Sequence, residues 1–242
     1  MKFPTTFSTG ERSSAEVLPW KYYQPRTSSP SGGAVVIAYG SDGLAPKWEP
    51  EIRRHAEALA DAGILAIIPE YLQKRQAIGD GQSDTVFGSI FERHDEWSQV
   101  LRDSIIAAHN LPGINSVGLL GFSLGGFLGL RIRDSVNVIV SYFAPHHFPT
   151  FGVPPELAPL KGLGSKTNSA LKALIQHGEA DSLVPFKTHA IPIADDLRQE
   201  KATVTWLPHP GANHGFQGTD TANSDARDKS CTETVKFFNS HL

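Results

Sequence analysis

Between Gly33 and Gly40 the chain reads AVVIAY (34–39), an unbroken apolar run. A run of this length without alternation suits a strand covered on both faces and leaves no wet side for an open antiparallel sheet. The period then changes. WEPEIRRHAEALAD (48–61) sets Ile52, Ala56, Leu59 and Ala60 at helical spacing and stops at Gly63. ILAIIP (64–69) returns to strand, and residues 95–109 place Trp97, Val100, Leu101, Ile105 and Ala108 on one helical stripe. SVGLLGF (116–122) reads as a strand, and FLGLRIR (127–133) begins or continues a helix. NVIVSYF (137–143), ALKALIQ (170–176) and ATVTWLP (202–208) are further strands. A helix over about 224–241 closes the chain, with Val235, Phe237 and Phe238 facing inward.

Strands alternating with helices imply an α/β fold, with a mainly parallel central sheet of about seven or eight strands and helices on both faces. The 242 residues fit one such domain. Val17 and the Trp20–Tyr23 cluster suit one or two antiparallel edge strands. Asp195 and Asp196 look like a solvated helix face. Residues 70–94 and 144–169 show no clear period and are expected to form lid or pocket walls, because long irregular connections in compact domains are often functional.

Bulk properties exclude several classes. The formal net charge is −3 with no basic run, which argues against nucleic acid or an anionic membrane surface. MKFPTTFSTGERSS (1–14) lacks the apolar core of a signal peptide, and no stretch is apolar enough to span a bilayer. The single cysteine, Cys231, forms no intrachain disulfide and reads as a packed thiol in the last helix. A reducing, cytoplasmic setting is the expectation.

Gly121-Phe122-Ser123-Leu124-Gly125 fits G-x-S-x-G between a strand and a helical segment, the context in which that pattern exposes a nucleophile. The chain must reverse within a few residues to lift the hydroxyl clear, which strains the serine backbone and leaves no room beside the glycines. A serine that merely caps the helix is the alternative. The glycines fall as G-x-x-x-G-G, so no dinucleotide fingerprint is present, and no Gly-Lys-Ser/Thr forms a phosphate loop.

A serine hydroxyl needs a base near neutral pH. Of ten histidines, His55 and His109 lie in early helices, His94 just before one and His241 at the frayed end. His177 ends a strand with its tip satisfied locally. His214 stands apart in HPGANHGF (209–216), after the last strand and before the last helix, where the order Ser…Asp…His places the base. The acid is expected after the preceding strand, where HGEADSLVP (177–185) offers Asp181, with Glu179 as the fallback. The Leu124 N–H at the helix start and the Ser41 N–H in YGSDG (39–43) are the expected oxyanion donors.

Tyr39, Phe87, Phe91, Phe143, Phe148 and Phe216 are candidates for an apolar acyl or alcohol pocket, whereas Phe122 and Phe127 are expected in the core. His146 and His147 in APHHFP read as pocket wall rather than metal ligands, since adjacent residues on extended chain point apart. No metal-ligand spacing appears, and no cofactor is expected.

These residues together resemble the α/β-hydrolase superfamily and, within it, the dienelactone hydrolase family. GFSLGGF resembles that family's nucleophile turn, HGEADSLVP its acid loop and NHGF its histidine loop. IIPEYL (67–72) is similar to its Pro-Asp-Leu-Tyr segment, KRQAIG (74–79) also fits, and the likeness runs from about residue 15 to 242. The resemblance implies hydrolysis of a small ester or lactone. Three departures stand out. The family's cysteine nucleophile is Ser123 here, and its buried glutamate after the first core strand is Gly40. Its carboxylate-binding arginine past the histidine has no counterpart in NHGFQGTD, with Arg75 and Arg227 the only nearby substitutes. The resemblance therefore points to the family's serine-dependent carboxylesterase branch. The remaining alternatives are a peptidase or amidase on the same scaffold, for which no acidic cluster is present, and a hydrolase-like binding protein without a reactive serine.

Overall fold

The computed structural model describes residues 7–8, 17–18, 20–72, 78–147 and 168–242. In chain order the strands and helices are β1 (Phe7–Ser8), β2 (Val17–Leu18), β3 (Trp20–Tyr23), β4 (Gly33–Ala38), α1 (Glu49–Asp61), β5 (Leu65–Pro69), α2 (Ser83–His109), β6 (Ser116–Phe122), α3 (Leu124–Arg131), β7 (Val138–Tyr142), β8 (Lys172–Gly178), α4 (Phe186–Gln199), β9 (Thr203–His209) and α5 (Thr221–His241). β1 and β2 form a two-stranded antiparallel ribbon. The main sheet has seven strands in the order β3-β5-β4-β6-β7-β8-β9. Among the described residues of this sheet only β3 runs antiparallel, with Tyr22 opposite Ile67.

The apolar runs are the central strands, as their patterning requires. Every residue of β4 and β5 is buried, whereas β9, at the edge, alternates between exposed and half-buried positions over Thr203–Trp206 and is buried only at His209. Right-handed crossovers then fix the helices. The chain leaves β4 for β5 in one direction and afterwards moves from β5 to β6, β7, β8 and β9 in the other. α1 therefore covers one face, where α5 packs beside it, and α2, α3 and α4 cover the opposite face. All the parallel strands end on one rim, so the loops after β4, β6, β7, β8 and β9 meet there.

Two expectations change. Residues 83–94 are not irregular: α2 begins at Ser83, so His94 lies inside a helix rather than before one. Val86, Ile90 and His94 extend the buried stripe of Trp97 and Leu101 at steps of three and four. Helix α4, expected from the Asp195–Asp196 face, contains Pro192. Of the two expected pocket-wall stretches, residues 73–77 and 148–167 lie outside the described residues, and Arg75 and Phe148 with them.

Candidate active site

The serine turn is built by close backbone approach. A Cβ on Gly121 would stand 2.6 Å from the Gly125 carbonyl oxygen, and one on Gly125 would stand 2.1 Å from that of Ala38. Any side chain at either position would push the first turn of α3 off β4 and β6. Ser123 sits between them at φ 50°, ψ −114°, a conformation that L residues rarely adopt. Its N–H donates to the Tyr142 carbonyl at 2.9 Å, tying the strained residue to the end of β7. Phe143 (φ 37°) and Phe216 (φ 53°) are also left-handed, so backbone strain gathers around this part of the rim.

The acid and histidine loops are stitched together. Glu179 N–H donates to the His209 carbonyl and Ala180 N–H to the Ala212 carbonyl, each at 3.0 Å. Gly178 lets them meet: a Cβ there would lie 2.2 Å from Ala212 O. Asp181 Oδ1 accepts the N–H groups of Leu183 (3.0 Å) and Val184 (2.8 Å), which fixes the carboxylate. Its Oδ2 accepts from His214 Nδ1 at 2.8 Å. Since Nδ1 carries that proton, the neutral ring presents an unprotonated Nε2. Burial opposes ionisation of Asp181. Hydrogen bonds from His177 and His214, the His214 charge and the Val184 N–H outweigh it and hold the carboxyl well below its ordinary 3.8. Glu179, the fallback, makes no such contact and is exposed.

Ser123 and His214 both line a cavity of about 600 Å³, within the range of small-molecule sites. Ser41 lines it as well. Among the described residues neither the Ser41 nor the Leu124 N–H has an acceptor; Ser41 lines the cavity, and Leu124 is buried next to Ser123 at the start of α3. The β4 loop that carries Ser41 is braced by Asp42 Oδ2, which accepts from Trp48 Nε1 at 2.8 Å, and by Asp80 Oδ1, which accepts the Leu44 N–H at 2.7 Å. Gly40 leaves open space beside the serine. A Cβ there would lie 3.6 Å from Ser123 Cβ, an ordinary contact, so a side chain at this position would sit against the serine.

The walls differ from expectation more than the centre does. Phe87 and Phe143 line the cavity, but so does Phe122, which sequence patterning assigned to the core alone. Tyr39 is buried away from the cavity and stacks on Tyr71 at 4.6 Å, because its ring turns toward the β5 side. Phe91 points off the outer face of α2 and is 56% exposed, one residue round from buried Ile90. Phe216 lies behind the histidine loop, packed edge-on against Phe143 at 5.5 Å. His146 turns inward, with Nε2 2.9 Å from Asp196 Oδ2, and it is His147 that reaches the cavity. Asp196 is thus a half-buried partner of His146 rather than part of a solvated face, while Asp195 pairs with Arg198 outside. Arg227 donates to the carbonyls of Phe216 and Gly218 and braces the histidine loop, so it does not serve the cavity.

Sequence reasoning also missed several lining groups. Trp48 packs so tightly on Gly215 (φ 69°) that a Cβ there would come within 2.4 Å of the ring. Glu51 lines the cavity from α1, and burial raises its pKa to about 7 despite the nearby Arg54 and Arg227 charges. No local sequence pattern marks these side chains; only the placement of α1 over the rim brings them in. Among the described residues no group of three or more His, Cys, Asp or Glu could hold a metal ion, and no helix is long and apolar enough to cross a membrane.

A mainly parallel seven-stranded sheet in this strand order, with a serine turn closing a central strand, defines an α/β hydrolase fold. The chain belongs to the dienelactone hydrolase family, whose model matches residues 22–242. No curated protein matches the sequence with significance. Among solved structures it is similar to a dienelactone hydrolase from Anabaena variabilis ATCC 29413, at 20% identity and TM-score 0.67 over 100% of this chain and 98% of that one. A putative dienelactone hydrolase from Klebsiella pneumoniae is 19% identical, with TM-score 0.68 and 97% of each chain covered. Est1E from Butyrivibrio proteoclasticus, solved with ferulic acid bound, is 14% identical, with TM-score 0.67 over 92% of this chain and 96% of that one.

Proposed function

We propose that the protein is a serine hydrolase that cleaves a neutral carboxylic ester or lactone of modest size through an acyl-enzyme. The observation that carries this reading is the 2.8 Å contact between His214 Nδ1 and Asp181 Oδ2, made by a histidine that shares one cavity with Ser123. In the proposed mechanism Ser123 Oγ attacks the carbonyl carbon while its proton passes to His214 Nε2. The Ser41 and Leu124 N–H groups hold the tetrahedral oxyanion, and Asp181 stabilises the imidazolium. His214 then protonates the leaving alkoxide. A water that loses its proton to His214 attacks the acyl-enzyme, releasing the acid and restoring Ser123.

Charge favours a neutral substrate. Asp42 and Glu51 line the cavity, and among the described residues no Lys or Arg does, so a substrate carboxylate would find no counter-charge. This departs from the family's arginine-assisted recognition of anionic lactones. A reducing cytoplasm suits the buried, free thiol of Cys231.

The test combines a fluorophosphonate probe with a panel of esters, lactones and amides, including a hydroxycinnamoyl ester because of the ferulic acid bound to Est1E. Ser123 is expected to be labelled in the wild type and not in Ser123→Ala, and ester or lactone turnover is expected to vanish in the same variant. Folded wild-type protein that neither labels nor turns over any member of the panel would overturn the reading in favour of a binding role.

A further inference from the structure

On the α4 side of the cavity lies a polar group that the proposed hydrolytic steps do not use. His189, 9% exposed, sits in the first turns of α4 and lines the cavity. Its Nδ1 accepts the backbone N–H of His146 at 3.0 Å. A ring nitrogen that accepts an N–H carries no proton itself, so the neutral imidazole holds its proton on Nε2. The ring is held in that neutral form. Burial, with the nearby charges of His147, His177 and His146, lowers its pKa to about 4 against the opposing pull of Asp181. The tautomer is thus set by the main chain, and His189 presents a donor and never an acceptor.

The donor is also fixed in place. His146, which supplies the N–H, is clamped to the same helix by its own side chain through Asp196, seven residues or two turns beyond His189. The His147 ring lies 4.9 Å from that of His189 and limits its tilt. Among the described residues the His189 ring makes no hydrogen bond other than the one at Nδ1, the backbone N–H donating to the Pro185 carbonyl. A rigid N–H that borders a mostly apolar cavity is the kind of group that sets ligand orientation and specificity.

We propose that His189 is a specificity-determining residue, whose Nε2–H donates to a neutral oxygen acceptor (a carbonyl, ether or hydroxyl oxygen) in the part of the substrate lying on the α4 side of Ser123. The inference rests on the hydrolase reading and deepens it, naming an oxygen-bearing acyl or alcohol group where a plain hydrocarbon would leave the N–H unpaired. The absence of lining Lys and Arg among the described residues favours a neutral acceptor over a carboxylate.

The experiment measures binding without turnover. In the Ser123→Ala protein, calorimetry compares esters carrying an ether or keto oxygen along the chain with isosteres in which that group is a methylene. The best oxygenated ester is expected to bind on the order of tenfold more tightly than its isostere. Adding His189→Asn, whose Oδ1 can still accept the His146 N–H but whose amide does not reach as far, is expected to bring that ratio close to one. His189→Gln, which carries an amide donor nearer to Nε2, is expected to restore part of it. A ratio near one in Ser123→Ala across the series, or a ratio unchanged by His189→Asn, would overturn the proposal. Equal weakening of both esters would overturn it too, by showing a purely structural role. The binding ratio does not depend on chemistry, so a wild type that fails to hydrolyse the same esters counts against the hydrolase reading alone.

Discussion

His177 Nε2 lies 3.2 Å from Oδ2 of Asp181, the same carboxylate oxygen that His214 engages. It also lies 2.8 Å from the Val184 carbonyl oxygen, so Nε2 carries a proton that two acceptors share. Asp181 is therefore held from both sides, with a buried imidazole behind it and the cavity imidazole in front. The tip of His177 is satisfied locally, as its place at a strand end suggests, but one of its partners is the candidate acid.

His177→Phe keeps a ring of similar size and removes the shared proton. The variant is expected to lose about 1.5–3 kcal/mol of stability at pH 7, the usual range for a hydrogen bond to a charged group. The sign of the pH dependence follows from Asp181. Its folded pKa is depressed, so its contribution is present above the ordinary 3.8 and disappears as pH falls through the lower folded value. Urea denaturation of the two proteins should show the gap narrowing at pH 3. An equal gap at both pH values would mean that His177 only fills space.

Asp181→Asn tests the acid directly. The amide can still accept the Leu183 and Val184 N–H groups through its oxygen, so the fold is expected to persist. Its NH₂ would face His214 Nδ1 as a donor and turn the ring to the wrong tautomer. By the serine-protease precedent kcat falls by about 10⁴. Turnover within tenfold of wild type, measured on the best ester of the panel, would remove Asp181 from this role.

Gly178→Ala separates packing from chemistry. The added Cβ would meet the Ala212 and Asn213 carbonyl oxygens at 2.2 and 2.8 Å, and these are main-chain atoms with no rotamer to escape into. The loop carrying His214 must move away from Asp181. kcat is expected to fall by at least tenfold, with the fluorophosphonate reaction at Ser123 slowed alongside it, even in preparations that melt cooperatively. Unchanged labelling kinetics would show that the two loops can shift together.

The frame and the candidate trio are legible in the sequence for a common reason. An apolar run such as 34–39 has one stable place, between two layers of helices, and strand order then puts Ser123, Asp181 and His214 on one rim. The cavity walls are less legible because a lining residue is defined by the direction of its side chain. Tyr39 follows the first core strand yet stacks on Tyr71, Phe91 misses the cavity by one helical step, and His146 faces Asp196 where its neighbour His147 faces the cavity. The start of α2 escapes notice because His94 occupies a core position, which leaves only Val86 and Ile90 as apolar members of the stripe before Trp97. Glu51 belongs to the same group: one face of α1 is visibly apolar, but nothing local shows that its first turn overhangs the rim that carries Ser123.

Glu51 gives the last prediction. Its carboxyl lies 3.4 Å from His55 Nδ1. That ring is neutral, however, since burial lowers its pKa to about 4 and Nδ1 donates to the Glu51 backbone carbonyl. The other charged groups around Glu51 are Arg54 on α1 and Arg227 and Asp228 on α5, and His214 shares its cavity. Desolvation exceeds the pull of the two arginines and raises the carboxyl from 4.5 to about 7. Between those values the folded protein binds more protons than the unfolded chain. Stability from this residue is therefore full below about pH 4.5 and is lost as pH rises through 7. A shift of this size corresponds to about 2–3 kcal/mol after allowance for partial exposure. Glu51→Gln removes the ionisation and keeps the shape. It is expected to raise the melting temperature at pH 8 by several degrees and to leave it almost unchanged at pH 4.5. Equal melting temperatures at pH 8 would show that Arg54 and Arg227 already compensate the charge, and a loss there would show that the carboxylate is the form the fold requires.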